Sequence, residues 1–265
     1  MMHSEKVTTH IVDWLKGYIE QSKTKGFVVG VSGGIDSAVT STLGALTGLP
    51  VLCVEMPIHQ DKSQVDRAYN HIELLKKKYS NVTSIETELT PVFDAFIATL
   101  PAVDNEEDRF LSLANARARF RMTTLYYHAQ LHNFLVLGTG NKVEDFGVGF
   151  FTKYGDGGVD LSPIADLTKT EVFELAAHLN INKDIQQAAP TDGLWGDERT
   201  DEDQIGATYP ELEWAMEIAD RGTFDVTSFT ARQQEVFGIY TRLNTQNQHK
   251  MQPIPVCTIP EEIKF

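Results

Sequence analysis

The chain is poor in the features that would place it in a membrane or an oxidising compartment. Cys53 and Cys257 are its two cysteines in 265 residues, far apart and in no CxxC pair. A disulfide-built scaffold is thereby excluded, and a cytoplasmic location is expected. No apolar run approaches the length needed to span a bilayer, and Met1-Met2-His3-Ser4-Glu5 lacks the basic-then-apolar order of a secretion signal. Repeats, low-complexity segments and a Pro/Gly-rich linker are also missing, so residues 1–265 are expected to form one domain. Positive charge is scarce: 23 Lys and Arg face 37 Asp and Glu, a formal net charge of −14. A nucleic-acid surface requires a basic footprint, so no nucleic-acid partner is expected. An anionic small-molecule ligand would need a local basic island or a metal.

What the chain does have is the stretch Phe27-Val28-Val29-Gly30-Val31-Ser32-Gly33-Gly34-Ile35-Asp36-Ser37-Ala38-Val39. Residues 27–31 are a short apolar run of β-formers, as in a buried parallel strand. Beyond Asp36 the pattern turns helical, with Ala38, Val39, Leu43 and Leu46 on one side. Strand, glycine turn and helix together present free backbone N–H groups to an anion. Gly33 and Gly34 allow close approach and unusual dihedrals. Ser32 and Ser37 can donate to phosphate oxygens. Asp36 suits such a site only if a divalent cation stands between it and the phosphate. An ordinary βα turn with Asp near the helix start is the bland alternative.

Along the chain, residues 4–22 read as an amphipathic helix with Ser4 as its N-cap, a core or dimer-surface element. Strands follow at 51–56 and 82–86, with a helix at 62–79 between them whose basic end, Lys76-Lys77-Lys78, suits the helix dipole. A short helix is expected at 91–100, an acidic loop at 102–108 and a long helix at 111–132. On the long helix Arg117 and Arg121 share a face and Arg119 turns elsewhere. A fourth strand at 134–137 leads into Gly138-Thr139-Gly140-Asn141-Lys142-Val143-Glu144-Asp145, where an open α/β sheet would bind a ligand. Thr168 and Glu171 form a capping box for a helix to 178. Residues 190–203 read as a lid-like loop, 205–219 as partly helical and 227–244 as a closing helix, with His249 and Lys250 in the tail. Strands alternating with helices make this an α/β chain with a doubly wound, mostly parallel sheet.

The stretch from Ser32 to Ser37 lacks the Gly-Lys-Ser/Thr ending of a Walker loop. It resembles the Ser-Gly-Gly-x-Asp-Ser loop of the ATP pyrophosphatase (PP-loop) superfamily, which cleaves ATP between its α and β phosphates to adenylate an acceptor oxygen. Later motifs narrow the resemblance: Gly-Phe-Phe-Thr-Lys-Tyr-Gly-Asp-Gly-Gly-x-Asp at 149–160, Leu-Thr-Lys at 167–169, Ala-Pro-Thr-Asp at 189–192, Gly-Ala-Thr-Tyr at 206–209, and His249-Lys250. In order and approximate spacing these are similar to the ammonia-dependent NAD⁺ synthetases, from Gly30 to Lys250.

The resemblance implies that the carboxylate of deamido-NAD⁺ attacks the α-phosphate of ATP, that pyrophosphate leaves, and that ammonia then displaces AMP to give NAD⁺. It implies that residues 30–37 (Gly30, Val31, Ser32, Gly33, Gly34, Ile35, Asp36 and Ser37), with Thr139, Lys169 and Thr191, bind ATP. Asp36 and Glu144 would ligate Mg²⁺, and Lys169 would meet charge developing on phosphate. Arg119, Lys153, Asp160, His249 and Lys250 would bind deamido-NAD⁺. It further implies a homodimer. Asn141-Lys142 departs from the His-Ala that many short members carry, and resembles glutamine-using relatives. Glutamine use needs an amidotransferase domain with a nucleophilic cysteine. Neither Cys53 nor Cys257 is placed for that role, so free ammonia is the expected nitrogen donor and no glutaminase domain is expected. Two rivals stay open here: another PP-loop enzyme, such as an adenylating amidase or a tRNA thiolase, and a non-catalytic ATP sensor.

Overall fold

Strand β1 (Phe27–Gly30) is the centre of the sheet because its side chains are apolar on both faces: Phe27, Val28 and Val29 are fully buried. A computed structural model describes residues 2–190, 200–223 and 225–264. In these residues β1 pairs in parallel with β2 (Val51–Glu55) on one side and β4 (Leu135–Leu137) on the other. Strand β3 (Val82–Glu86) completes a parallel sheet of order β3-β2-β1-β4. The chain steps outward from β1 to β3 and then returns to the opposite side of β1. The strand order therefore reverses between β1 and β4, and open α/β sheets bind ligands beyond the carboxyl ends of strands at such a point.

Both faces are covered. Helices α1 (Ser4–Ser22), α2 (Ile35–Leu46) and α3 (Lys62–Lys78) share one core with Phe27, Val29, Val51 and Cys53. Helices α4 (Thr90–Ala98) and α5 (Glu106–His132) cover Val28, Leu52, Val54 and Val136 on the other. The expected doubly wound arrangement is present. Helix α6 (Lys169–His178) joins the first core, opened by the expected capping box between Thr168 and Glu171. The short α7 (Lys183–Gln186) and α8 (Asp201–Ile205) follow. Helices α9 (Tyr209–Arg221) and α10 (Ala231–Met251) form a smaller third core around Val143, Val148, Leu212 and Tyr240.

Several boundaries differ from the sequence reading. Helix α5 begins at Glu106, because Asn105 caps it through Glu107 N–H and Asp108 N–H. The expected acidic loop is thus largely its first turn, where acids complement the dipole. Helix α10 reaches Met251, so His249 and Lys250 sit on its last turn and not in the tail. Ser4 is the first helical residue of α1, and no side chain caps that helix. Residues 143–148 form a π-helical turn, a departure that tends to mark functional positions.

One buried contact gives the fold a pH signature. His71 of α3 and Ser41 of α2 lie 2.9 Å apart (Nε2 to Oγ), both buried under the sheet. Burial pushes the His71 imidazole down to about 4 from its ordinary 6.5. The unfolded chain binds this proton first, so the contribution is complete above about pH 6.5 and is lost as pH falls towards 4. Denaturant melts at pH 7 and pH 5 should show a stability loss of about 2 kcal/mol from this group. In His71→Gln that part of the slope should vanish. An equal slope in the variant would mean other groups drive the acid loss.

Candidate active site

Residues 30–37 run from the end of β1 through a turn into α2, and all eight line one cavity at the strand-order reversal. Gly33 is required twice over. Its φ is +82°, and a Cβ there would lie 2.5 Å from the Gln64 carbonyl oxygen and 3.1 Å from the Ala68 nitrogen of α3. Gly34, by contrast, has an ordinary extended backbone (φ −89°, ψ 163°), and its Cβ would meet only Ser32 Oγ at 3.4 Å. The two serines are also unequal. Ser37 is buried, accepts from Ser32 N–H at 3.2 Å and donates to the Gly34 carbonyl at 3.0 Å, so it braces the turn. Ser32 is exposed, and its Oγ accepts from Gly34 N–H at 3.3 Å.

Three segments converge beside this turn. Lys169, the first residue of α6, is 3% exposed. Its Nζ donates to Asp36 Oδ2 at 2.6 Å and to Glu144 Oε1 at 3.0 Å. Burial works against the ammonium, but Asp36 and Glu144 outweigh burial and hold its pKa above the ordinary value. This accounts for a lysine at a helix N-terminus, where the dipole alone disfavours it. Asn141 is fully buried. It donates to Asp36 Oδ1 at 3.3 Å, and its Oδ1 accepts from Val143 N–H and Glu144 N–H at 3.1 and 3.2 Å. The departure at Asn141 therefore ties the two acid-bearing segments together. Tyr209 donates its hydroxyl to Glu144 Oε1 and lays its ring 4.7 Å from the Lys169 ammonium.

Among the described residues the cavity wall carries six acids (Asp36, Glu55, Glu144, Asp145, Asp156 and Asp201) against three bases (Arg67, Arg121 and Lys169). These do not make a local basic island, so an anion of high charge needs a cation with it. Asp145 relieves part of the acidity: burial, then Glu144, Asp156 and Asp36, push its carboxyl up to about 8. Thr139 lines the cavity at the end of β4. Arg121 lines it too, with Nε donating to the Met56 carbonyl at 3.2 Å and Nη2 to Gln60 Oε1 at 2.7 Å. Arg121, Asn141 and Tyr209 are contributors that sequence reasoning passed over. The signals available were the shared face of Arg117 and Arg121, the departure at Asn141 and the place of Tyr209 in the 206–209 motif. Thr191 lies outside the described residues.

The five residues expected at the second substrate fall into two groups. Arg119 donates to the Lys153 carbonyl at 3.3 and 3.4 Å, and Lys153 donates to the His249 carbonyl. Lys250 donates to the Gly149 and Phe151 carbonyls, both at 2.9 Å. These four gather where α5, the 149–153 segment and the end of α10 meet. Asp160 stands apart, accepting from Val136 N–H at 2.8 Å and Tyr126 hydroxyl at 3.0 Å. It lines a second, open cavity with Trp14, Tyr18 and Phe146. Trp14 and Tyr18 are each 40% exposed. Such rings offer a planar ligand a face to stack on.

The chain matches the NAD synthase family over residues 7–254. It is 38% identical to the NH(3)-dependent NAD(+) synthetase of Carboxydothermus hydrogenoformans, over 87% of this chain and 92% of the relative. To the NH(3)-dependent NAD(+) synthetase of Mycoplasma genitalium it is 43% identical, over 78% of this chain and 81% of the relative. Among solved structures, the NMN synthetase from Francisella tularensis superposes with a TM-score of 0.83 at 32% identity, covering 98% of this chain and 100% of that one.

Three substitutions test the local physics. Gly33→Ala should lose about 1–2 kcal/mol from the dihedral alone, with more from the contact with α3, whereas Gly34→Ala should melt within about 0.5 kcal/mol of the parent. Lys169→Met leaves two acids facing one another without their cation. Its expected cost is about 3–5 kcal/mol in denaturant melts. A Lys169→Met protein as stable as the parent would show that the ion cluster does not hold these segments.

Proposed function

The chain belongs to the NAD synthase family, and from that premise we propose that it acts as an ammonia-dependent NAD⁺ synthetase, a ligase that forms a C–N bond using ATP. The observation that carries the mechanism is the convergence of Asp36, Glu144 and Lys169 on the mouth of the β1 turn. The substrates are ATP, deamido-NAD⁺ and ammonia. A carboxylate oxygen of deamido-NAD⁺ bonds to the α-phosphorus of ATP as the bond to pyrophosphate breaks. Ammonia then bonds to the acyl carbon of the adenylate, AMP leaves and a proton is released. Neither step needs a side-chain nucleophile. The work of the protein is positioning and charge stabilisation.

The turn at 32–34 and the N-terminus of α2 cradle the β and γ phosphates, with Ser37 keeping the turn in shape and Thr139 beside them at the end of β4. Asp36 and Glu144 would hold Mg²⁺, since both carboxylates already reach a single cationic centre, the Lys169 ammonium. Bound there, the ion would offset phosphate charge. Among the described residues no cluster of three or more His, Cys, Asp or Glu side chains could hold a metal. Two protein ligands with phosphate and water are the usual Mg²⁺ arrangement. Arg119, Lys153, His249 and Lys250 bind one part of the acceptor, and Asp160 with Trp14 and Tyr18 the other.

Free ammonia is the nitrogen source in this reading. The Cys53 thiol is buried and pushed up to about 12, and neither cysteine lines the cavity. We take residues 1–265 as one synthetase domain, which the family match over 7–254 supports. The enzyme works in the cytoplasm, and no helix among the described residues is long and apolar enough to cross a membrane. It works as a homodimer, a reading supported by the large apolar side chains left exposed on α5, among them Phe110, Leu111, Tyr127 and Leu131.

A mononucleotide acceptor is the second reading, favoured by the overlap with the Francisella NMN synthetase. The reacting carboxylate is the same, so one assay covers both. Purified protein with ATP, Mg²⁺ and ammonium should release AMP when deamido-NAD⁺ is added and little without it. Nicotinate mononucleotide is run in parallel, and the ratio of kcat/KM decides between acceptors. Asp36→Ala should lower kcat/KM by at least about 100-fold, the scale expected for losing a metal and phosphate anchor. AMP release in neither mixture would leave the sensor reading standing.

A further inference from the structure

Tyr209 lies outside every role described so far. It is the first residue of α9, is 3% exposed, and is set in place by its own N–H, which donates to Glu202 Oε1 at 2.8 Å. Its hydroxyl reaches Glu144 Oε1, and Asp201 Oδ2 lies 3.5 Å away. The oxygens of the acid pair are unevenly used. Asp36 is bound at both: Oδ1 by Asn141 and Oδ2 by Lys169. Glu144 accepts from both Lys169 and Tyr209 at the same oxygen, Oε1. Two donors of different chemistry on one carboxylate oxygen fix the plane of the group. Lys169 cannot do this alone, because it is shared with Asp36 and would have to give ground to a metal ion. A phenol carries no charge to compete with that ion.

We propose that Tyr209 is a positioning residue for the divalent cation: its hydroxyl holds Glu144 in a ligating orientation when Lys169 shifts its weight to Asp36 or to phosphate. This rests on the reading of Asp36 and Glu144 as the cation's ligands. Hydrogen-bond partners of metal-ligating groups orient them, and their loss costs roughly 10- to 100-fold in metal affinity.

The test is Mn²⁺ binding to the full chain in the presence of α,β-methylene-ATP, followed by electron paramagnetic resonance. Tyr209→Phe keeps the ring and its contact with Lys169 and removes only the hydroxyl. Its Mn²⁺ dissociation constant should rise roughly 10- to 100-fold. In steady-state assays the concentration of Mg²⁺ for half-maximal rate should rise by a similar factor, with kcat largely recovered at saturating Mg²⁺. A loss of kcat that Mg²⁺ cannot restore would mean a merely structural role and would overturn the proposal. So would Mn²⁺ affinity within twofold of the parent while Glu144→Gln loses binding, an outcome that leaves the metal reading intact. If Glu144→Gln also binds Mn²⁺ like the parent, the metal reading itself falls, and Tyr209 with it.

Discussion

The contact on which the rest depends is the buried ammonium of Lys169 between Asp36 and Glu144. It joins three pieces of chain far apart in sequence: the first turn of α2, the π-helical turn after β4, and the start of α6. Each piece is held locally by its own device. Ser37 braces the first, Asn141 caps the second, and the Thr168–Glu171 box starts the third. Asn141 also reaches the first piece, donating to Asp36 Oδ1 at 3.3 Å. The third is joined to both by the ion cluster, which as a two-to-one cluster keeps one net negative charge. Buried ion clusters seldom add stability over an apolar core, because desolvation opposes their attraction. A buried site with surplus negative charge is better explained by what binds there than by what it gives the fold.

The sheet decides where that surplus stands. Strand order β3-β2-β1-β4 reverses at β1, so the turn after β1 and the turn after β4 leave the sheet side by side. Asp36 lies just past the first and Glu144 just past the second. The wall they share has six acids and three bases. Placing a triphosphate there without a metal would set like charges together in a partly dry cavity. The acidity of the whole chain and of this wall therefore point the same way. On the proposed reading, nucleotide would be admitted together with a cation and not drawn in by a broad field.

The parts legible in the sequence are those written in local chemistry. The strand at 27–30, the glycine turn, the capping box at 168–171 and the strand at 82–86 follow from period, propensity and hydrogen-bonding groups within a few residues. The pairing of Asp36 with Glu144 came from resemblance, since nothing local joins residues so far apart. What was not legible depends on tertiary contact. Tyr209 stands in the sequence as the end of the Gly-Ala-Thr-Tyr motif with no role attached, and only the packing of α9 on the π-helical turn brings its hydroxyl to Glu144. Asn141 looked like a departure, and only its three hydrogen bonds reveal what it holds. The lysines and arginine expected to form a basic island are each engaged: Lys169 by acids, Lys250 by carbonyls, and Arg119 by the Lys153 carbonyl. Sequence charge cannot show how much of itself is already spoken for.

The second substrate presents the sharper geometric problem. Its expected ligands divide between the 149–153 segment with α10 and the aromatic cavity that contains Asp160. A single acceptor touching both groups must be long, and a dinucleotide meets that condition more readily than a mononucleotide. The second proposed reading, which rests on the overlap with the Francisella NMN synthetase, pulls the other way. Both can hold if the aromatic cavity receives the ring that bears the reacting carboxylate. Asp160 is backed there by Val136 N–H, on the strand whose next turn carries Thr139. The four residues of the other group would then contact only what lies beyond the ring. Binding energy gained that far from the reacting carbon can be used to orient and desolvate it, so an acceptor that lacks those contacts should lose kcat as well as affinity.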